Sequence, residues 1–209
     1  MTRILYIAAS PRAEMSQSGK LAEAYLAARQ AAEPNLTIDR LDLWRAELPE
    51  FDGDKAAAKM TFFGVGEMDA TRQSAWDQIV AITQRFTDAD EYVLAVPMWN
   101  GAVPYKLKHY IDIITQPGLL FGFDPDKGYF GLLEGKTARV FFTSGVYAPG
   151  APSKYGMDFH STYLSWWLDF IGVTEVKALR FQPSLLTPDP VGDQARAVEK
   201  AKGLAPQPA

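Results

Sequence analysis

Residues 97–102 carry side chains suited to binding a flat ring with polar edges. The stretch consists of Pro97, Met98, Trp99, Asn100, Gly101 and Ala102. Its methionine and tryptophan offer apolar surface to a ring face, its asparagine offers an amide donor and acceptor, and its glycine admits a ligand close to the backbone. A flavin has such a face and such edges, so we expect a flavin here. A strand-to-helix turn with an exposed tryptophan is the purely structural alternative.

A loop rich in hydroxyl groups follows the first apolar run of the chain. It contains Ser10, Ser16, Gln17 and Ser18, and a helix is predicted from about residue 20. Hydroxyl groups and the free N–H groups of a helix start bind a phosphate monoester without a lysine. The loop lacks the glycine spacing of a Walker A motif or of a dinucleotide fingerprint. It therefore predicts a phosphate site, with an ordinary serine-capped helix as the alternative.

A third polar turn follows the apolar run at residues 137–142. It begins with Thr143, Ser144 and Gly145 and continues with Val146 and Tyr147. Small and polar residues at the end of a buried strand allow close contact with a ligand. We expect this turn to contact the edge of the ring.

Five strands and the helices between them must position these turns. The predicted strands cover residues 3–9, 36–43, 91–96, 137–142 and 173–181, and helical patterns separate them. This alternation predicts an α/β fold of three layers, in which a doubly wound sheet of five parallel strands has helices on both faces. In the flavodoxin-like order 2-1-3-4-5, all three turns lie at the carboxyl edge of the sheet, where ligands bind.

Two aromatic segments lie outside this pattern. Residues 116–135 form a connection rich in aromatic residues and glycines, which we expect to cover a ligand or a second subunit. Trp166 and Trp167 are adjacent in a predicted helix and cannot both face one core, so one of them is expected to meet another chain.

Length and composition exclude several classes of protein. The chain has 209 residues, a net charge of −4 and no cysteine. We expect one domain spanning residues 1–209 in the cytoplasm, without nucleic-acid or membrane partners. Disulfides, thiolate nucleophiles and iron–sulfur clusters are excluded, and no metal site is expected. His109 and His160 have no carboxylate or nucleophile spaced to orient them, so neither is an expected catalyst.

The motifs together resemble the FMN-dependent NADH azoreductase and quinone reductase family. Beyond the three turns, the resemblance rests on residues 107–112, 118–123, 131–136, 163–165 and 170–172. It implies bound FMN and a homodimer with two FMN sites at the subunit interface. It also implies that the phosphate lies at Ser10, Ser16, Gln17 and Ser18, and the isoalloxazine at Met98, Trp99 and Asn100.

The resemblance also implies an acceptor pocket lined by Phe123 and Phe170. Family members commonly have Ser-Arg-Gly-Gly after the fourth strand, whereas here Ser144 precedes Gly145, Val146 and Tyr147. Tyr147 is expected to reshape the substrate pocket, which leaves the acceptor preference open.

The implied activity is a ping-pong transfer of two electrons from NADH or NADPH to quinones or azo compounds. Hydride would pass through flavin N5, so no side chain is expected to be catalytic. The main alternative is a non-catalytic FMN electron carrier of flavodoxin type, against which the extra length and the aromatic connection argue. A hydrolase of phosphate esters or thioesters is disfavoured, because the chain lacks a Ser-His-Asp order with suitable spacing.

Overall fold

The structure is a computed structural model that describes residues 1–206, so the last three residues of the predicted domain lie outside it. The strands are β1 (Arg3–Ala8), β2 (Thr37–Asp42), β3 (Glu91–Pro97), β4 (Phe121–Asp124), β5 (Gly128–Gly131), β6 (Thr137–Thr143) and β7 (Glu175–Phe181). The helices are α1 (Gln17–Ala32), α2 (Gly53–Thr61), α3 (Ala70–Thr87), α4 (Tyr105–Ile114), α5 (Ser161–Phe170) and α6 (Pro190–Lys202). Within residues 1–206, no helix combines the length and the apolar character needed to cross a membrane.

Five of the strands form one parallel sheet in the order β2-β1-β3-β6-β7. This is the predicted order, with the fourth and fifth sheet strands now labelled β6 and β7. Residues 91–96 of β3 are all buried, as expected for a central strand covered on both faces. Because β1, β3 and β6 are neighbours, the turns that follow them lie side by side at the carboxyl edge.

Helices cover both faces of the sheet, as predicted. Leu94 and Val96 of β3 belong to a core packed against α3, α4 and α5. Val93 and Ala95 alternate with them and belong to a second core, packed against α1 and α6. The alternation of side chains along the strand thus divides the interior into two apolar layers.

The structure differs from the sequence predictions at three places outside the sheet. Helix α1 begins at Gln17 rather than near residue 20, because Ser16 caps it by accepting a hydrogen bond from the Gly19 N–H at 3.0 Å. Pro104 at the end of the turn after β3 suits the first turn of the following helix in the sequence, but in the structure it immediately precedes α4. The aromatic connection contains an antiparallel hairpin, in which β4 pairs with β5.

The two adjacent tryptophans face in different directions, as predicted. Trp167 is 1% exposed and donates a hydrogen bond from Nε1 to Oγ1 of Thr115 at 2.9 Å. Trp166 is 57% exposed and stacks on Phe170. One indole therefore completes the core, while the other adds apolar surface to the outside of α5.

Candidate cofactor site

Backbone hydrogen bonds hold the three predicted turns together at the carboxyl edge of the sheet. The N–H of Ala9, after β1, donates to the carbonyl of Ala95 at 3.1 Å. The N–H of Met98, after β3, donates to the carbonyl of Thr143 at 2.7 Å. The sheet ladder thus extends into the turns, and the residues predicted to bind a phosphate and a ring share one edge.

The serine loop is organised around the start of α1. The Oγ atoms of Ser16 and Ser18 lie 3.2 Å apart, and Ser10 Oγ accepts a hydrogen bond from the Arg12 N–H at 3.3 Å. All three serines are buried. Ser16 Oγ accepts a hydrogen bond from the N–H of Gly19. The N–H groups of the first two helical residues, Gln17 and Ser18, can therefore donate to an anion.

The side chain of Gln17 points to another part of the molecule. Its Oε1 accepts a hydrogen bond from Nε2 of Gln194 in α6. The backbone of Gln17 therefore lies at the predicted phosphate position, whereas its side-chain amide links α1 to α6.

A buried polar network fixes α1 to the sheet. The hydroxyl of Tyr25 donates to Glu91, the first residue of β3, and Arg29 Nε donates to the same carboxylate at 3.2 Å. Burial, and secondarily the hydrogen bond to Glu91, raises the pKa of Tyr25 above its usual value. Because α1 is tied to β3, the serine loop keeps a set position relative to the turn after that strand.

The turn after β3 is a two-residue reversal. The N–H of Trp99 donates to the carbonyl of Ala102 at 2.8 Å, and the N–H of Ala102 donates back at 2.9 Å. Asn100 has φ 49° and Gly101 has φ 82°, the pair of positive values that defines a type I′ turn. This geometry was not predicted, although Asn-Gly is the strongest sequence signal for a type I′ turn. The positive φ values therefore account for both residue types, and Asn100 is exposed.

Trp99 packs in an aromatic cluster that the sequence analysis did not foresee. Its ring centroid lies 5.4 Å from that of Trp44 and 6.4 Å from that of Tyr105. Trp44 follows β2 and donates a hydrogen bond from Nε1 to the carbonyl of Ala9 at 3.1 Å. The position of Trp44, just after β2 at the carboxyl edge of the sheet, was the sequence signal for this contact. Trp44 thus connects the start of the serine loop to the predicted ring-binding turn.

The turn after β6 is closed by its own side chain and by a later segment. Ser144 Oγ donates to the carbonyl of Tyr147 at 2.5 Å, and the carbonyl of Ser144 accepts from the Ser184 N–H at 2.8 Å. The carbonyl of Gly145 accepts from the N–H of Leu185 at 2.9 Å. The segment after β7, which the sequence analysis did not assign, is therefore part of this edge.

The glycines of both turns lie under later parts of the chain. A Cβ atom at Gly101 would lie 3.1 Å from the carbonyl oxygen of Met157, and one at Gly145 would lie 3.0 Å from Cδ1 of Leu185. These distances are at the short limit for carbon contacts. Gly101 is thus required by the fixed backbone above it and by its positive φ, whereas a side chain at Gly145 would displace only the exposed end of Leu185.

His160 lies beneath this edge and is fully buried. Its ring meets Phe142 edge-on with centroids 4.8 Å apart, and neither ring nitrogen has a hydrogen-bond partner within residues 1–206. Burial lowers the pKa of His160 to about 4, so the ring is neutral at pH 7. It fills space beside β6 as an uncharged group.

The structure groups two of the three predicted acceptor-pocket residues. Phe123 and Phe170 both contact Tyr129, with ring centroids 5.0 and 5.7 Å away. Phe170, Tyr129 and Tyr105 also line a cavity of about 1160 Å³ beside α4 and α5. Tyr147 has different neighbours, in the turn after β6.

Comparison with known proteins agrees with the architecture and the motifs. A family model described as a flavodoxin-like fold matches residues 2–204. The chain belongs to the flavodoxin-like fold family. An FMN-dependent NADH:quinone oxidoreductase of Ruegeria pomeroyi is 58% identical to this flavodoxin-like chain, over 95% of it and 97% of the relative.

Solved structures resemble the flavodoxin-like chain over nearly its whole length. An azoreductase from Bacillus anthracis gives a TM-score of 0.86 at 26% identity, covering 98% of each chain. An FMN-dependent NADH-azoreductase from Bacillus anthracis, solved in complex with FMN, gives 0.82 at 25% identity and covers 99% of this chain and 100% of its own. The family predicted from the motifs is therefore confirmed.

Proposed function

We propose that this chain is an FMN-dependent oxidoreductase that transfers two electrons from NADH to quinones or azo compounds. One observation carries the proposal: the loop predicted to bind a phosphate and the turns predicted to bind a ring share one sheet edge, in a chain that is 58% identical to an FMN-dependent NADH:quinone oxidoreductase. The whole chain is proposed to form one FMN-binding domain.

The residues at this edge fit the chemistry of FMN. The free N–H groups at the start of α1 suit a phosphate dianion, and the positive end of the helix dipole favours it. The exposed amide of Asn100 suits the polar edge of an isoalloxazine. The proposed cofactor residues are Ser10, Ser16, Gln17, Ser18, Pro97, Met98, Trp99, Asn100, Gly101, Thr143, Ser144 and Gly145.

FMN, when bound, supplies the chemistry of accepting two electrons from a reduced nicotinamide and passing them on. The protein's part is to bind and orient. Ser16 and the N–H groups of Gln17 and Ser18 would hold the phosphate, and Trp99, braced by Trp44, would limit movement at the ring end. No side chain acts as nucleophile or base in this proposal. If the nicotinamide and the acceptor bind to the same open face of the flavin, the nicotinamide must leave before the acceptor enters. This gives a ping-pong order.

We also propose that the chain works as a homodimer in the cytoplasm. The exposed rings of Phe123, Tyr129 and Trp166 form an aromatic surface of the kind that subunit interfaces bury. In a dimer, Phe123 and Phe170 of one subunit would complete the acceptor pocket beside Tyr147 of the other. Sedimentation velocity at assay concentration, with and without FMN, tests this assembly.

An anaerobic titration tests the activity. Purified protein is supplied with FMN, freed of excess cofactor, and its visible spectrum is recorded before and after addition of NADH and then of 2-methyl-1,4-naphthoquinone. We expect the flavin absorbance to fall with NADH and to return with the quinone. Bound flavin that NADH does not reduce would favour an electron carrier, and failure to bind FMN would overturn the proposal.

A further inference from the structure

The segment after β7 is held in place at the edge of the sheet. The N–H groups of Leu185 and Leu186 both donate to the carbonyl of Gly145, at 2.9 and 3.1 Å. The chain is fixed again at the next residue, because the Thr187 hydroxyl donates a hydrogen bond to the carboxylate of Asp193 in α6. The backbone of residues 184–187 is therefore anchored at both ends.

The two leucine side chains remain outside the core although their backbone is fixed. Leu185 is 72% exposed and Leu186 is 57% exposed. Leu185 lies over Gly145, and Leu186 and Val146, which follow these two residues in the chain, are also exposed, so exposed apolar residues from two segments flank the turn after β6. Single exposed leucines are common, but three exposed apolar residues on two hydrogen-bonded segments at the ligand-binding edge favour a contact surface.

We propose that Leu185 and Leu186 form an apolar wall of the acceptor site and favour quinones with apolar ring substituents or a fused apolar ring. This inference rests on the proposed function, whose acceptor class it narrows. Gly145 leaves room for Leu185 in its present position, because a Cβ atom there would lie 3.0 Å from Cδ1 of Leu185, and the exposed leucine would have to shift. An apolar wall removes apolar substrate surface from water, and it offers nothing to the sulfonate groups of charged azo compounds.

The test compares two quinones that differ in apolar surface. The FMN-loaded wild type and a Leu185→Gln/Leu186→Gln double variant are assayed with saturating NADH, using 1,4-benzoquinone and 2-methyl-1,4-naphthoquinone. Because both leucines are exposed, the substitutions spare the core. We expect the kcat/KM for 2-methyl-1,4-naphthoquinone, divided by the kcat/KM for 1,4-benzoquinone, to be about tenfold lower in the double variant than in the wild type. A change of this size is typical of a lost apolar contact.

An equilibrium measurement accompanies the kinetics. Without NADH the quinone is not consumed, so the Kd of 2-methyl-1,4-naphthoquinone for the oxidised, FMN-loaded protein can be followed by tryptophan fluorescence. This Kd should rise about tenfold in the double variant. Val191→Gln, which removes an exposed apolar side chain from α6, serves as the matched control and should change neither quantity.

The outcomes separate this inference from the activity on which it rests. An unchanged ratio and Kd in the double variant, with a wild type that reduces both quinones, would overturn the wall alone. An equal loss in Val191→Gln would also overturn it, because the effect would then be general surface hydrophobicity. A wild type that reduces neither quinone would overturn the proposed function and the wall together.

Discussion

The phosphate half and the ring half of the candidate site are built in different ways. The phosphate half is one continuous segment, residues 10–19, whose polar groups largely bond to one another. The ring half is assembled from the turns after β3 and β6 together with residues 157–159 and 184–186. The hydrogen bonds of the phosphate half join residues that are neighbours in the sequence, whereas the ring half forms only when distant segments pack together. The two halves should therefore respond differently to substitution.

The halves also differ in how their buried polar groups are satisfied. In the phosphate half, the hydroxyl groups of Ser16 and Ser18 are paired. Beneath the ring half, within residues 1–206, the ring nitrogens of His160 and Nε2 of Gln182 are buried without a partner. An unpartnered buried polar group costs free energy. Because His160 can bind a proton and burial lowers its pKa, the ring half is expected to be the more sensitive to pH.

The largest expected effect concerns His160. Its pKa of about 4 in the folded chain lies below the usual 6.5, so the unfolded chain binds a proton first as the pH falls. The free energy of unfolding should therefore fall between pH 6.5 and 4, with about 2–3 kcal/mol due to this group. Urea unfolding followed by tryptophan fluorescence at several pH values measures it.

The matched pair for this test is His160→Leu and His109→Leu. The His160 variant should lose that part of the pH dependence, while the variant of the half-buried His109 should keep it. Equal pH profiles for wild type and His160→Leu would show that the ring half carries no such acid sensitivity.

An intermediate effect is expected at the phosphate half. Ser16→Ala removes the cap of α1 and the partner of Ser18, so the free energy of unfolding should fall by about 1 kcal/mol. The Kd for FMN, measured by fluorescence titration, should rise about tenfold, because the first turn of the helix is less well ordered.

Ser74→Ala on the exposed face of α3 is the matched control and should change neither value. Lower stability of Ser16→Ala with an unchanged Kd for FMN would mean that the serine only caps the helix. The proposed phosphate site would then lose its support from this residue.

The smallest effect on stability is expected at Asn100. Asn100→Gly keeps the positive φ of the type I′ turn, so the free energy of unfolding should change by less than about 0.5 kcal/mol. The lost amide should raise the Kd for FMN by about two- to tenfold, the range of one net hydrogen bond.

Asn100→Leu separates the two roles of this position, because leucine tolerates φ 49° poorly. It should lower both stability and FMN affinity. If Asn100→Gly bound FMN as tightly as the wild type, the asparagine would serve the turn alone.

Much of the fold follows from the sequence because the three inner strands β1, β3 and β6 are apolar and buried, whereas the edge strands β2 and β7 carry charged residues. Residues 91–96 are predicted as a central strand and are buried throughout. The helix was predicted from about residue 20 because Ser16 was assigned to the loop. In the structure Ser16 caps α1, which begins at residue 17. The hairpin of β4 and β5 was missed because its glycines and aromatic residues give no clear alternation.

The sequence by itself determined the positions of the sheet strands and the serine loop, and it carried the Asn-Gly signal of the type I′ turn, because each depends on residues close together in the chain. Only the tertiary structure decided that Trp44 braces Trp99, that His160 is buried beneath β6 and that Leu185 covers Gly145. These pairs are separated by tens of residues, and no local pattern marks them. They form because the order of the strands brings the ends of β2, β3, β6 and β7 to one edge.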